Sequence, residues 1–314
     1  MKQIHLIAPS GASLDIRNPL AGIEWLRQQG INIHNVECVN RVEQRFAGSD
    51  AERLAEINQL QHLSPDDLVM AVRGGYGIHR LLANIDWDGI ARAIKGGLQI
   101  CGHSDLTVLQ LALLSKTGAI SLAGPMLNYD FGSKDEQGNS ITPNAFMWKH
   151  FQKAVQEHAL DCEVMTAQPY LGKANSGSSS GVLWGGNLTV LAGLVGTAYI
   201  PTSDQTQGGI LFLEDVNEHP YRIERMLMQL LDAGILANQS AILLGGFSEY
   251  RLYDHDRGYR LESAIEAIRA KLSSEIPILT GLPFGHQAEK LTLPVGATAN
   301  LTYSVHGFTL RSQW

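Results

Sequence analysis

Over the first 125 residues, short apolar runs alternate with longer segments of helical period. IHLIA (4–8), INIHNVECV (31–39), DLVMAV (67–72), LQIC (98–101) and AISLAGPM (119–126) have the length and composition of strands. Between them lie helix signals. NPLAGIEWLRQQG (18–30) places Asn18 at a cap, Pro19 at the first helical position and Gly30 just past the end. In SDAERLAEINQLQHL (49–63), Ser49 and Glu52 fit a capping box, and Leu54, Ile57 and Leu60 share one face. IHRLLANI (78–85) reads as a short helix, and LTVLQLALLSKTG (106–118) as a helix closed by Gly118. Repeated strand–helix units of this length predict an α/β fold: a mostly parallel, Rossmann-like or flavodoxin-like sheet with helices on its faces.

The pattern then changes. NYDFGSKDEQGNSITP (128–143) is polar, NAFMWKHFQKAVQEH (144–158) is helical, and a second polar region ends in NSGSSSG (175–181). The domain boundary is expected in or near this region, giving units of 1–160 and 161–314. The second half holds the strand patterns GVLWGG, GGILFLEDV and SAILLGGFS. Its clearest helix is PYRIERMLMQLLDAG (220–234), opened by Pro220, closed by Gly234, with Ile223, Met226, Leu227, Leu230 and Leu231 on one face. No internal repeat is present.

Composition narrows the class. With 314 residues, 44% hydrophobic and 18% charged, the chain is long enough for about two globular domains. The net charge of −7 and the lack of a Lys/Arg run argue against a nucleic-acid partner. Cys38, Cys101 and Cys162 are odd in number and far apart, which argues against a disulfide framework or a zinc site. The opening MKQIHLIAPSGASLD has one lysine and a five-residue apolar run, too short for a signal peptide, and no run of about 18 apolar residues predicts a membrane span. A soluble protein of a reducing cytoplasm is expected.

ICGHSDLTVL (100–109) raises the chemical question. Ser104 sits where an apolar strand becomes a helix. It fits two roles: a cap for that helix, with Asp105 favoured at its positive end, or a nucleophile at the carboxyl edge of a parallel sheet. In the second role the Asp105 amide is one oxyanion donor. The neighbouring loop Arg73-Gly74-Gly75-Tyr76-Gly77 then offers backbone N–H groups for another, or simply makes a tight turn. That loop is not GxGxxG, so a nucleotide site is weakly supported. Gly177-Ser178-Ser179-Ser180-Gly181 matches GxSxG, but no strand precedes it and a strand-like GVLW follows. It reads as a flexible connector. For a base, His103 adjoins Ser104, and His286 lies on the Pro/Gly-rich loop LTGLPFGHQAEKLTLPVG. Glu214 and Asp215 end a strand, either as site carboxylates or as solvated loop acids. Tyr253-Asp254-His255-Asp256 has ligand types without metal-site spacing, and no metal or cofactor is expected. A hydrolase using Cys101 is disfavoured, because that side chain should point into the sheet.

Taken together, IAPSG, AVRGGYGIHRLL, CGHSDLTVLQ with GPML, LWGGNLTVLAGLVGT, LFLEDVNEHPYRIERML and LTGLPFGHQAEKLTLPVG resemble, in order and over nearly the whole chain, the L,D-carboxypeptidases of bacterial cell-wall recycling. The resemblance implies Ser104 as nucleophile, His286 as general base and Glu214 as its orienter. It implies an oxyanion hole from the amides of Asp105 and Gly75. It also implies an N-terminal α/β domain carrying the serine, a smaller β-rich C-terminal domain carrying Glu214 and His286, and a homodimer. The implied substrate is the muropeptide L-Ala-γ-D-Glu-meso-diaminopimelate-D-Ala. Arg73, Gly74 and Tyr76 would line its site; Arg73 would meet the terminal carboxylate unless it is a structural residue at a strand end. Trp184 would wall the pocket unless it is a core residue. Two rivals stay open: a peptidase of the same family acting on microcin-type peptidyl nucleotides, and a non-catalytic protein binding an anion or peptide on the same scaffold.

Overall fold

The computed structural model describes residues 3–134, 137–165, 170 and 175–314. Its strands are β1 Gln3–Ile7, β2 Asn32–His34, β3 Leu68–Ala71, β4 Gln99–Gly102, β5 Ser121–Ala123, a short hairpin of β6 Ser133–Lys134 and β7 Ser140–Ile141, then β8 Ala159–Met165, β9 Ser176–Asn187, β10 Gly209–Val216, β11 Gln239–Ser248, β12 Ile278–Thr280, β13 Leu293–Val295, β14 Thr298–Ser304 and β15 Gly307–Gln313. The α-helices are α1 Arg17–Gln28, α2 Asp50–Gln59, α3 Trp87–Gly96, α4 Leu106–Thr117, α5 Ala145–Glu157, α6 Leu188–Leu194, α7 Ser203–Thr206, α8 Pro220–Asp232 and α9 Leu261–Lys271.

The first sheet has the order β13-β5-β4-β3-β1-β2, with β5, β4, β3, β1 and β2 parallel. This is the flavodoxin-like arrangement, in which ligands bind beyond the carboxyl ends of the strands near the β1/β3 switch point. Successive side chains of a strand face opposite ways, and both faces here are buried. Ile4, Leu6, Leu68 and Met70 pack with α1 and α5 residues such as Leu26 and Phe151. Ile7, Val69, Ala71 and Ile100 pack on the other side with α4.

The second sheet has the order β12-β11-β10-β9-β14-β15-β8, and the C-terminal half is β-rich as expected. Strands β9 to β12 run parallel, and β9, β14, β15 and β8 pair antiparallel. Helix α4 stands between the two sheets. Leu106 to Leu114 are all buried, which explains why its sequence is apolar all round rather than on one stripe. Its partners include β9 and α6.

One expectation needs correction. The Gly177–Gly181 segment is no connector: it lies in β9 and pairs residue for residue with β14, Gly181 opposite Ala299 and Gly177 opposite Tyr303. A polar stretch forms this strand because its partner, about 120 residues later, satisfies its backbone. One strand pairs across the division expected at residue 160. β13, from the C-terminal half, adds an antiparallel edge to the first sheet, Leu293 opposite Ala123. That crossing carries the loop of His286 to the serine-bearing domain. Among the described residues, no helix is long and apolar enough to cross a membrane. The cap signals mostly hold. Ser49 and Glu52 form their capping box, and Gly118 ends α4 in the left-handed region. Helix α1 instead starts at Arg17, with Asn18 inside it.

Candidate active site

Ser104 occupies the turn between β4 and α4 with φ of +60°, a left-handed conformation that is costly for a residue with a side chain. Its backbone carbonyl accepts from the Thr107 N–H, and no side chain caps α4. The capping reading of Ser104 therefore does not hold. The strained turn lifts the serine to the sheet edge, half-buried.

The β3 loop presses against it. A Cβ placed on Gly74 would lie 2.5 Å from Ser104 Oγ and 3.2 Å from the Asp105 amide nitrogen, so only glycine allows this approach. Gly74, rather than Gly75, has its α-carbon against the serine. The Gly74 carbonyl accepts from the Gly11 N–H at 3.1 Å. In a trans peptide the following N–H points the opposite way, so the Gly75 amide is directed away from the β1 loop. Arg73 is half-buried, and one guanidinium nitrogen donates to the Ala12 carbonyl at 2.6 Å. Tyr76 is exposed and its ring lies 6.1 Å from that of Phe46.

The side chain of Asp105 is a feature the sequence did not disclose. It is buried, and Oδ2 accepts from the Ser10 hydroxyl at 2.7 Å and from the Ile78 N–H at 3.1 Å. It thereby ties the β1 loop and the β3 loop to the serine turn. Burial, the largest influence, pushes its carboxyl above the usual range against these hydrogen bonds.

Glu214 lies near the end of β10, where the register against β11 shifts. It is fully buried, and Oε2 lies 2.8 Å from Nδ1 of His286. Its other oxygen accepts from Asn187 Nδ2 at 3.1 Å. A carboxylate only accepts, so Nδ1 of His286 carries the hydrogen and Nε2 keeps its lone pair. Gly285 makes room for this pair. Its φ is +122°, and a Cβ there would come within 3.0 Å of Glu214. Asp215 is occupied differently: Oδ2 accepts from the Thr189 N–H and hydroxyl, both at 2.8 Å, and burial raises its carboxyl. Asn187 joins the two acids, donating also to Asp215 Oδ1 at 3.1 Å. This role was not legible in the sequence.

His103 is not free to act as a base. Its Nδ1 lies 2.9 Å from the Gly124 carbonyl and its Nε2 lies 3.1 Å from Lys290 Nζ. Its ring centroid is 5.0 Å from that of His286, at 73°, which sets His286 beside the serine turn. Cys101 is fully buried and its Sγ–H faces the Pro125 carbonyl; burial pushes the thiol strongly up, so it offers no thiolate. Trp184 corrects another expectation. It is 1% exposed, and its indole N–H donates to Gln239 Oε1 at 2.8 Å within the core, so it walls no open pocket. The site can thus present a strained hydroxyl, a carboxylate-oriented imidazole and glycine-loop amides at one sheet edge, the parts of an acyl-transfer centre.

Comparison with known proteins points the same way. Residues 4–124 match the model of the LD-carboxypeptidase N-terminal domain, and residues 180–301 that of the LD-carboxypeptidase C-terminal domain. The crystal structure of muramoyltetrapeptide carboxypeptidase from Oxalobacter formigenes is 39% identical and superposes with a TM-score of 0.86, covering 100% of this chain and 99% of that one. The murein tetrapeptide carboxypeptidase of Pseudomonas aeruginosa is 30% identical over 95% of this chain and 92% of its own. The microcin C7 self-immunity protein MccF of Escherichia coli is 27% identical over 93% of this chain and 88% of its own.

Proposed function

The chain belongs to the LD-carboxypeptidases, a family of serine carboxypeptidases, and from that premise we propose that it removes the terminal D-Ala from murein tetrapeptide, L-Ala-γ-D-Glu-meso-diaminopimelate-D-Ala. Ser104 is the nucleophile, His286 the general base and Glu214 the residue that orients it. The observation that carries this reading is the 2.8 Å contact of the buried Glu214 carboxylate with His286 beside the strained Ser104 turn. Cytoplasmic recycling of muropeptides by a homodimer belongs to the same proposal and rests on the family resemblance.

The steps follow from the groups present. A serine hydroxyl is a weak nucleophile, and His286 Nε2 takes its proton as Oγ attacks the diaminopimelate carbonyl. Imidazolium forms, and the Glu214 carboxylate on Nδ1 stabilises it and holds the ring's tautomer. The carbonyl oxygen gains negative charge, which the amides of Asp105 and Gly75 meet. One such donor is typically worth about 10²–10³ in turnover. His286 then protonates the D-Ala nitrogen, the C–N bond breaks, and water hydrolyses the acyl-enzyme by the reverse proton path. Arg73 is the proposed partner of the D-Ala carboxylate. One nitrogen is held by Ala12, and a guanidinium has further N–H groups to offer. Gly74 and Tyr76 flank it on the same loop.

The test is mass spectrometry of murein tetrapeptide incubated with the wild-type chain and with Ser104→Ala. Loss of one alanine in the wild-type reaction alone is expected. Loss in both would remove Ser104 from its role. Loss in neither would overturn the substrate assignment, in favour of a peptidyl nucleotide, as the likeness to the microcin immunity protein allows, or of binding without turnover.

A further inference from the structure

Lys290 lies four residues after His286, and its side chain is only 1% exposed. Lysine is rarely buried, because its ammonium loses hydration. Here Nζ donates to both oxygens of Asp130, at 2.7 and 2.9 Å, and to Nε2 of His103 at 3.1 Å. The Gly124 carbonyl on the other side of the ring only accepts, so Nδ1 of His103 carries the hydrogen and Nε2 presents its lone pair to the ammonium. Both ring nitrogens are committed, and a proton on Nε2 would point at a cation. Burial first, then Lys290 and His286, hold the imidazole well below the usual histidine range. Asp130 also accepts from the Met126 N–H at 2.8 Å, which anchors the pair to the segment after β5.

The groups facing His286 are therefore Glu214 from β10 and the ring of His103 from the serine turn. Lys290 and Asp130 stand behind that ring. His103, Lys290 and Asp130 lie outside the triad. Building on that triad, we propose that Lys290, with Asp130 as its counter-ion, is a positioning residue that locks His103 as a neutral, edge-on wall for the ring of His286. The need is electrostatic. His286 must become imidazolium during attack, and a second imidazolium with its ring 5.0 Å away would oppose it. At the effective dielectric of protein sites this repulsion corresponds to about a hundredfold in rate. Without Lys290, the buried Asp130 carboxylate, 3.8 Å from His103 Nδ1, would draw a proton onto that ring instead.

Two measurements test this on the full chain: the imidazole nitrogen resonances of His103 by NMR, and kcat against pH on murein tetrapeptide. In the wild type, His103 is expected to be silent between about pH 5 and 8, since a free histidine would titrate near 6.5. In Lys290→Met it should titrate within that window. The acid limb of kcat should then move to higher pH, with about a tenfold to hundredfold loss at the acid end. Lys290→Met/Asp130→Asn removes the stranded carboxylate, so it should fold, silence His103 again and return the limb towards its wild-type position. A merely structural lysine would lower stability and leave the limb in place. Titration of His103 in the wild type, or an unchanged His103 and acid limb in Lys290→Met, would overturn the proposal. If the wild type does not turn over the tetrapeptide, the NMR measurement decides the lock by itself, and only the assigned reaction falls.

Discussion

Gly74→Ala isolates the close approach on which the setting of Ser104 depends. Gly74 does not need a left-handed backbone, so alanine is conformationally admissible there, and any effect comes from the added methyl. That methyl would lie 2.5 Å from Ser104 Oγ and 2.6 Å from its Cβ, against ordinary contacts of 3.4–4 Å. Relief needs a displacement of about 1 Å. The serine cannot yield easily, because its strained turn is held by the Thr107 N–H on one side and by the buried Asp105 carboxylate on the other. Overpacking of this kind costs about 1–3 kcal/mol in stability. A misplacement of about 1 Å at reacting atoms costs about 10²-fold in rate. The expected outcome is a folded protein, modestly destabilised, with kcat/KM on murein tetrapeptide about a hundredfold below wild type. Gly96→Ala, where an added Cβ meets nothing within 4 Å, serves as the matched control and should leave the rate unchanged. If Gly74→Ala retained activity within a factor of three of wild type, the claim that the β3 loop and the serine form one packed unit would fail.

Three other outcomes follow from the contacts around the site. Glu214→Gln keeps the shape but replaces the carboxylate oriented on His286 Nδ1. Single-turnover and steady-state kinetics should show kcat lower by about 10²–10⁴ with little change in thermal midpoint. Asp105 has its carboxyl raised in the folded state, so the folded chain holds that proton more tightly than the unfolded one. The stability this supplies is present in acid and is lost as pH rises through the unfolded value of about 3.9 towards the higher folded one. Denaturant midpoints should therefore show Asp105→Asn improving relative to wild type between pH 4 and pH 7; a gap independent of pH would remove the burial argument. Trp184→Phe loses the indole N–H on Gln239 inside the core, and should cost about 1–3 kcal/mol by thermal unfolding while leaving kcat/KM intact.

What could be read in the sequence was what local chemistry dictates. The LQIC run, its terminal glycine and the apolar segment after it place Ser104 at a strand–helix junction without reference to any distant residue. The same holds for Ser49 with Glu52, and for Gly118 ending α4. The features that could not be read share the opposite property. The serine-rich stretch of β9 is polar because alternate side chains face solvent, and only β14 makes it a strand. β13 belongs to the first sheet through a contact about 170 residues back along the chain, which no composition change marks. The Asp105 carboxylate meets Ser10 across 95 residues, and Lys290 meets His103 across 187. In the run QAEKL, Lys290 looks like any loop lysine, since burial of a charge is decided entirely by its partners. Ser104 is marked by local turn chemistry, whereas the residues packed around it are brought there by contacts between segments far apart in the chain. In this chain the substituents worth changing experimentally are concentrated at those contacts: at Gly74 against Ser104, at Asn187 between Glu214 and Asp215, and at Lys290 behind His103.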